Sequence, residues 1–375
     1  MSDPRPAGLQ GGDPKTVRAA LDHGEALPGT AGFAGRLGDR LVRDVLGRYP
    51  LFSAAEGYDP GDPSTWSADL RDLDEPRRVP AGTTRTADGD RTVWTLPAPA
   101  PRGGPEAVAA VRGAVADAVD RVPARADGAD LAVAFSGGLD SALVAARLEA
   151  PLFVAGFPDS PDVAAAREAA ALLDRDLSVV RLAHDDLERA VPRVARATGR
   201  TNAMDVGIAL SLFLVAEAAA AAGVDRLVLG GGADELFGGY AKVAKAPADP
   251  RVDAVTVRGA RREVMGTLPD QLERDVLALR AAGVEPVTPL LHDDVVRAAL
   301  ALPGEQLVTD AGERKHALRL AAREWLPDRI AFRKKRAVQY GSRVSRELDR
   351  LARQAGFKRR MDDHLDRYVE SLVAE

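Results

Sequence analysis

Short apolar runs alternate with segments of helical apolar spacing between about residues 105 and 229. Residues 105–122 place valines three or four positions apart, which predicts an amphipathic helix. The apolar runs predict strands at 131–135, 152–157, 178–182 and 226–229, with helices at 140–149, 161–173, 185–198 and 206–222 between them. This alternation predicts right-handed crossovers and a parallel sheet with helices on both faces. The fold class is therefore α/β, with a doubly wound parallel sheet.

A small β-rich module precedes this region. Residues 41–52 alternate apolar positions around a Gly/Pro turn, which predicts a hairpin, and 83–86 and 91–96 predict two further strands. Residues 97–105 contain four prolines and predict a linker. The first 31 residues are rich in Gly, Pro and charge, so we expect a flexible start with one short helix near 15–23.

The last third of the chain has mainly helical spacing. The predicted helices are 252–265, 269–282, 293–302, 313–325 and 344–374, the last of which we expect to form core or a homodimer contact. Two segments interrupt them. Residues 283–291 predict a tight Pro-punctuated turn that carries Glu285, and 330–342 contain four consecutive cations, for which a solvated surface is the ordinary explanation.

Residues 134–141 read Ala-Phe-Ser-Gly-Gly-Leu-Asp-Ser and join a predicted strand to a predicted helix. Ser136, Gly137 and Gly138 let backbone N–H groups approach a ligand closely, and a helix N-terminus favours an anion. Asp140 would place a carboxylate beside that anion, which is reasonable only if a cation bridges the two. Mg²⁺ is suited to this role because carboxylates and phosphate oxygens are its usual ligands. The turn therefore predicts a nucleotide phosphate site.

A second glycine-rich turn follows the predicted strand 226–229, where the chain reads Gly-Gly-Gly-Ala-Asp-Glu. Asp234 takes the position after this strand that Asp140 takes after the first. Two such turns at neighbouring strand ends would make a cage for Mg²⁺ and polyphosphate. For the adjacent Glu235, helix capping is the simpler explanation.

Composition limits the function classes. The net charge of −5 gives no basic footprint for nucleic acid, and the absence of cysteine excludes disulfides, thiolate metal sites and a cysteine nucleophile. The first residues lack the apolar core of a signal peptide, and no run approaches 18 apolar residues. From these features we expect a cytoplasmic protein with no membrane contact.

Together these motifs resemble the synthetase domain of the asparagine synthetase family, which contains an ATP pyrophosphatase fold of the HUP-like type with an SGG-x-DS loop. The segment 156–168 resembles the family's next conserved segment, and 232–240 resembles its second signature almost letter for letter. Residues 283–291 resemble its GLE-x-R-x-PFLD element. The likeness covers roughly residues 105–345 well and 32–96 faintly.

The resemblance implies adenylation of a carboxylate by Mg-ATP with release of pyrophosphate, followed by attack of an amine. Asp140 and Asp234 would then hold Mg²⁺, and Lys335 would stabilise charge on the α-phosphate. The remaining implied contacts are the phosphate cradle of Ser136, Gly137, Gly138, Ser141 and Gly230, and the adenine-lining backbone at Ala134 and Ala155.

Three positions depart from the family pattern. Gly231 replaces a glutamate thought to help deprotonate the attacking nitrogen, Val287 replaces an arginine, and His292 replaces an aspartate. Glu285 is retained, and we therefore hypothesise that it takes the acid/base role.

Residues 32–96 resemble the later part of the family's glutaminase domain, which predicts a degenerate remnant of that domain ahead of a linker at 97–105 and a synthetase domain at 106–375. The family's glutaminase nucleophile is an N-terminal cysteine, and this chain has none. Ser2 has no activating base beside it and is no substitute. We therefore expect no glutamine hydrolysis, so ammonia would come from solution or from a separate ammonia-supplying protein.

These observations favour an AMP-forming amide synthetase that joins aspartate and ammonia. Two alternatives stay open. One is a related adenylating ligase that acts on another carboxylate or amine, as in lactam formation, and the other is a regulatory ATP-binding protein without turnover.

Overall fold

The computed structural model describes residues 8–126, 128–246, 248–333, 342–360 and 362–374. The strands in chain order are β1 (Leu9–Gln10), β2 (Ala34–Leu37), β3 (Arg40–Arg43), β4 (Phe52–Ala54), β5 (Trp66–Ser67), β6 (Pro76–Arg78), β7 (Thr83–Thr86), β8 (Gly89–Thr92), β9 (Leu131–Ala134), β10 (Leu152–Gly156), β11 (Leu177–Arg181), β12 (Arg226–Val228) and β13 (Glu285–Val287).

The helices are α1 (Pro14–His23), α2 (Gly104–Asp120), α3 (Val122–Arg125), α4 (Leu139–Ala145), α5 (Pro161–Leu172), α6 (His184–Thr198), α7 (Ala203–Ala221), α8 (Ala233–Phe237), α9 (Ala241–Ala244), α10 (Val257–Met265), α11 (Leu268–Ala282), α12 (Asp293–Leu300), α13 (Gly304–Leu307), α14 (His316–Ala322), α15 (Asp328–Ala331), α16 (Val344–Gln354) and α17 (His364–Ala374).

The chain forms two compact units, each made of separate stretches of sequence. Unit 1 consists of Met1–Val119, Gly231–Glu273 and Thr288–Ala322. Unit 2 consists of Asp120–Gly230, Arg274–Val287 and Arg323–Glu375.

Unit 2 is built on a parallel sheet with the strand order β11-β10-β9-β12-β13. The chain moves from β9 outward through β10 to β11, then returns to the other side of β9 for β12 and β13. This reversal is the doubly wound topology, so the predicted fold class is confirmed. The predicted strands agree with β9 to β12 to within one or two residues.

β13 corrects the prediction of a tight turn at 283–291. Residues Glu285–Val287 form the fifth strand of the sheet and pair in parallel with β12. A proline within a strand cannot donate to its neighbour, and for that reason sequence reasoning favoured a turn. Pro286 is tolerated because β13 is an edge strand with a neighbour on one side only.

The apolar helix α7 forms much of the core of unit 2. Its 19 residues make it long and apolar enough to cross a membrane by length and composition, which differs from our expectation that no such run exists. However, 56% of the most apolar 18-residue stretch of this helix is buried inside the protein, and Phe213 and Leu210 are fully buried. These properties are those of a core helix in this unit.

The predicted closing helix at 344–374 is two helices, α16 and α17. The break follows Ala355 and includes Gly356, whose φ of +94° lies in the left-handed region that ends helices. Asp349 of α16 accepts hydrogen bonds from Arg353 of the same helix and, across the break, from Arg359 and His364. We call this group the Asp349 cluster. The bond from Arg359 contributes most to holding the pKa of this carboxyl at about 2.

Unit 1 contains two antiparallel sheets, ordered β1-β2-β3-β7-β8 and β5-β4-β6. The hairpin predicted across residues 41–52 is wrong, since β3 pairs with β2 and β7 while β4 belongs to the other sheet. The connecting residues instead wrap around the buried Arg43, whose guanidinium donates to the carbonyls of Tyr49, Val79 and Gly47. The strand predicted at 83–86 forms as β7. The strand predicted at 91–96 is instead β8 at Gly89–Thr92, which pairs with β7 in antiparallel register.

A second buried arginine lies at the centre of an ion network in unit 1. Arg48 Nε is 2.9 Å from Asp44 Oδ1, and Arg48 Nη1 is 2.8 Å from Asp293 Oδ1. All three side chains are at most 1% exposed. Burial alone would lower the pKa of Arg48, but the two carboxylates raise it above its usual value.

The start of the described chain is folded into unit 1. α1 is capped by Asp13, and its Val17 is buried in an apolar cluster with Phe33 and Trp94. The start of the segment 97–105 also has defined partners, because Arg262 donates to the carbonyls of Leu96 and Pro97 and Arg258 donates to that of Pro99. We expected partial order at best over residues 1–31, but residues 8–31 have apolar partners that a local pattern does not reveal.

Candidate active site

The first glycine turn, Ser136–Gly138, joins the carboxyl end of β9 to α4. Ser141 Oγ accepts from Ser136 N at 3.2 Å and lies 3.3 Å from Ser136 Oγ, so the two predicted hydroxyl residues hold the turn together. Gly137 has φ +69°, and a Cβ there would lie within 2.6 Å of Ala166 N. Position 137 therefore requires glycine, both for its left-handed conformation and for its close contact with the backbone of α5. Asp140 lies in the first turn of α4.

The second glycine turn, Gly230–Gly232, follows the neighbouring strand β12. A Cβ on Gly230 would lie 2.6 Å from the carbonyl carbon of Asp140 and 2.7 Å from Ser141 N. The structure thus places Gly230 against the backbone at the start of α4, the helix that follows the first glycine turn, a juxtaposition that the sequence only suggested. The chain passes from unit 2 to unit 1 between Gly230 and Gly231.

These two turns mark the point where strand order reverses. β10 and β11 lie on one side of β9, while β12 and β13 lie on the other. In open α/β sheets, ligands bind in the crevice beyond the carboxyl ends of the strands at this switch point. The fold and the turns therefore define a doubly wound α/β protein whose candidate ligand site is at the ends of β9 and β12.

In unit 1, Asp234 lies in the first turn of α8 and forms an ion pair with Lys315. The distance from Lys315 Nζ to Asp234 Oδ1 is 2.7 Å, and both residues are buried. Gly239 lies so close that a Cβ there would overlap Asp234 Oδ1. Lys315 has φ +60°, a left-handed conformation that costs a non-glycine residue about 1–3 kcal/mol and is typical of functional sites.

Glu285 lies away from the turns. It is the first residue of β13, and register places it beside Arg226 and then Leu131, the first residues of β12 and β9. The two glycine turns follow the carboxyl ends of β9 and β12, whereas Glu285 lies beside their amino ends. Glu285 is also held by Arg280, with Nε–Oε2 and Nη2–Oε1 distances of 2.8 and 2.7 Å. The acid/base role hypothesised for Glu285 does not fit this position, and we correct it to a structural ion pair at the amino end of the sheet.

Three other predicted site residues are Ala134, Ala155 and Lys335, and the structure describes the first two. Ala134 and Ala155 are half-buried near the carboxyl ends of β9 and β10, next to the first turn in unit 2. Lys335 lies outside the described residues. Among the described residues, no group of three or more His, Asp or Glu side chains converges as a metal site. A cation held by one or two carboxylates together with phosphate oxygens needs no such group.

Two further basic residues contact the predicted site residues: Lys315 pairs with Asp234, and Arg333 contacts the first glycine turn. The sequence did not predict either contact. Lys315 had no signal in its local sequence that set it apart. Arg333 was noted only as part of the basic run, whereas its Nη1 donates to Ala165 O at 2.9 Å and to Gly137 O at 3.4 Å.

Comparison with known proteins gives the family. The asparagine synthase family model matches residues 110–266 and 246–372, which is more than half of the chain. The chain belongs to the asparagine synthase family.

Among curated relatives, a putative glutamine-hydrolysing asparagine synthetase 1 of Methanocaldococcus jannaschii is 30% identical over 276 residues. That alignment covers 64% of this chain and 51% of the archaeal protein. Glutamine-hydrolysing asparagine synthetase B of Escherichia coli is 27% identical over 229 residues, which cover 56% of this chain and 41% of that protein. The matched region therefore spans about half or less of these relatives.

A solved structure of NMN synthetase from Francisella tularensis is also similar, covering 73% of this chain and 94% of its own. Its TM-score of 0.33 and 11% identity are too low to support a conclusion about fold or function.

Proposed function

We propose that this chain is an ATP-dependent, AMP-forming amide synthetase. A substrate carboxylate oxygen attacks the α-phosphorus of ATP, the bond from that phosphorus to the leaving oxygen breaks, and pyrophosphate departs. An amine then attacks the acyl carbon, loses a proton and displaces AMP. The observation that carries the proposal is the contact of Gly230 with the Asp140–Ser141 backbone at the switch point of a family member.

The residues around the two turns suit a polyphosphate. Backbone N–H groups and the hydroxyls of Ser136 and Ser141 can donate to phosphate oxygens. Carboxylates are the hard oxygen ligands that Mg²⁺ prefers, and Asp140 and Asp234 are the proposed ligands. Bound Mg²⁺ would supply charge compensation for pyrophosphate. The remaining proposed contacts are phosphate binding by Gly137, Gly138 and Gly230, adenine contact by Ala134 and Ala155, and transition-state stabilisation by Lys335.

Aspartate and ammonia are the proposed substrates, because the relatives are named as asparagine synthetases. Gly231 and Val287 depart from the family pattern, so a different carboxylate or amine is the second candidate. The chain contains no cysteine, and we propose that it does not hydrolyse glutamine and takes ammonia from solution or from a separate protein. In this proposal, residues 106–375 carry the activity and 32–96 are a remnant of a glutaminase domain.

An ATP–pyrophosphate exchange screen across carboxylates tests the first half-reaction. We expect exchange with aspartate, and amide formation when ammonium is added. Asp140→Asn should reduce exchange by about a hundredfold or more. Asp185→Asn is the matched control, because Asp185 is likewise an acid in the first turn of a helix of unit 2 but is exposed.

Each other outcome has a definite meaning. Exchange with another carboxylate identifies the second candidate. ATP binding without exchange for any carboxylate supports a regulatory ATP-binding protein and refutes the synthetase. Release of glutamate from glutamine by the purified chain would refute the absence of glutaminase activity.

A further inference from the structure

The first glycine turn rests on the backbone of α5 rather than standing free. Gly137 takes φ +69°, and a Cβ at this position would lie within 2.6 Å of Ala166 N and would overlap the Ala165 carbonyl. The turn and the second helical turn of α5 are therefore in van der Waals contact. Something must nevertheless set the orientation of the Gly137 peptide, since glycine itself restricts its backbone least of all residues.

Arg333 supplies that restraint. Its Nη1 donates to Ala165 O at 2.9 Å and to Gly137 O at 3.4 Å, so one guanidinium bridges the helix and the turn. Its Nη2 lies 2.7 Å from Glu168 Oε2, one helical turn further along α5. The side chain is 17% exposed. The planar fork of arginine can satisfy these acceptors together, which a lysine cannot do.

Arg329 provides a natural comparison. It pairs with the other oxygen of the same carboxylate, with Nε 2.5 Å from Glu168 Oε1. Its side chain is 72% exposed, and within the described part of the chain it has no hydrogen bond to the glycine turn. The two arginines thus share Glu168, but only Arg333 reaches Gly137.

We propose that Arg333 is a positioning residue for the phosphates of ATP, an inference that rests on the proposed function. A trans peptide is planar, with its C=O and N–H pointing in opposite directions. Because Arg333 binds the Gly137 carbonyl, the Gly138 N–H of the same peptide faces away from the guanidinium. Arg333 therefore sets the direction of a donor in the phosphate turn without touching the substrate. Arg333, the first cation of the basic run 333–336, therefore acts through a hydrogen bond to the Gly137 carbonyl.

The test compares Arg333→Met with Arg329→Met in the full chain. Losing a hydrogen bond from a charged donor is worth about 1.5–3 kcal/mol, or about a tenfold to a hundredfold change in affinity. We expect Arg333→Met to weaken binding of Mg–α,β-methylene-ATP and raise KM for ATP by this factor, with a smaller change in kcat. Arg329→Met should leave both unchanged. Arg333→Lys, which can reach one carbonyl, should recover part of the loss.

Hydrogen exchange supplies a readout that does not depend on turnover. Amides of residues 135–141 should exchange faster in Arg333→Met than in wild type, and at the wild-type rate in Arg329→Met. Equal binding and equal exchange in the two methionine variants would refute the proposal, as would a lower Tm with unchanged affinity. If Arg333→Met does not fold, Arg333→Lys decides by the same two measurements. Failure of the wild type to bind the analogue would refute the proposed function instead. The hydrogen-exchange rates of residues 135–141 would then still test whether Arg333 restrains the glycine turn.

Discussion

The buried network around Arg48 gives the sharpest stability prediction. Its guanidinium binds Asp44, Asp293 and the carbonyl of Leu291 at 2.7 Å, joining residues that are more than 240 positions apart in sequence. Asp293 also accepts from Thr30 N at 2.7 Å. Arg48→Met keeps most of the apolar stem and removes the charge, which leaves two fully buried carboxylates without their cation.

The expected loss follows from that burial. Removing one partner of a buried ion pair costs about 3–5 kcal/mol, because the remaining charge is uncompensated. The backbone donors of Thr30, Phe33 and Leu46 to the two carboxylates remain and keep the loss within that range. In a unit of about 150–250 residues, each kcal/mol lowers Tm by about 2–4 °C. We therefore expect Tm to fall by about 6–20 °C.

Thermal unfolding followed by circular dichroism measures this effect, and Arg78→Met is the matched control. Arg78 also connects the β-rich part of unit 1 to a distant segment, through Asp270 and Glu273, but its side chain is 43% exposed. Glu273 is buried, but Arg43 Nη1 lies 3.5 Å from its other carboxylate oxygen, so Glu273 keeps a cation when Arg78 is replaced. The exposed pair with Asp270 contributes about 1 kcal/mol or less. Equal losses of Tm in the two variants would refute the reasoning, since burial is the property that separates them. A large loss only for Arg48→Met would mean that the β-rich module is an integral part of unit 1.

Gly230→Ala should reduce pyrophosphate exchange by about a hundredfold, because its Cβ would displace the Asp140 backbone, whereas Gly113→Ala has nothing within 4 Å and should retain activity. Glu285→Gln should leave the exchange rate within about twofold of wild type, and a loss comparable to that of Gly230→Ala would restore an acid/base role. The Asp349 cluster should stabilise the protein above the unfolded carboxyl pKa of about 3.9 and lose that effect as pH falls toward 2. The Tm difference between wild type and Asp349→Asn should therefore shrink between about pH 5 and pH 2, and a constant difference would contradict this assignment.

Much of unit 2 was predictable because its signals are local. The apolar runs and helical periodicities of β9 to β12 and α4 to α7 arise within single segments, and most of these segments have Gly or Pro at or near one end. The glycine turns were predictable for the same reason. The left-handed φ of Gly137 and the close approach of Gly230 to its neighbours both favour glycine, so a glycine in the sequence indicates each of them.

The errors came from interactions across long separations. Local propensity favoured a turn at Pro286, but an unpaired sheet edge allows a proline there. Glu285 was given a chemical role because its motif resembled one, and motif spacing does not reveal which end of a strand faces the site. The hairpin at 41–52 failed since the buried Arg43 uses carbonyls of the intervening residues.

The sequence alone determined the α/β class, the two glycine turns, the acids that follow them and the family pattern, because each depends on residues close together along the chain. Tertiary structure decided the strand order, and with it that the two turns meet at the switch point. It also decided that Lys315 pairs with Asp234, that Arg333 restrains Gly137 and that Glu285 lies at the far end of the sheet. Those contacts depend on which distant segments pack together in the interior. Burial and strand register determine this, and no short stretch of sequence contains that information.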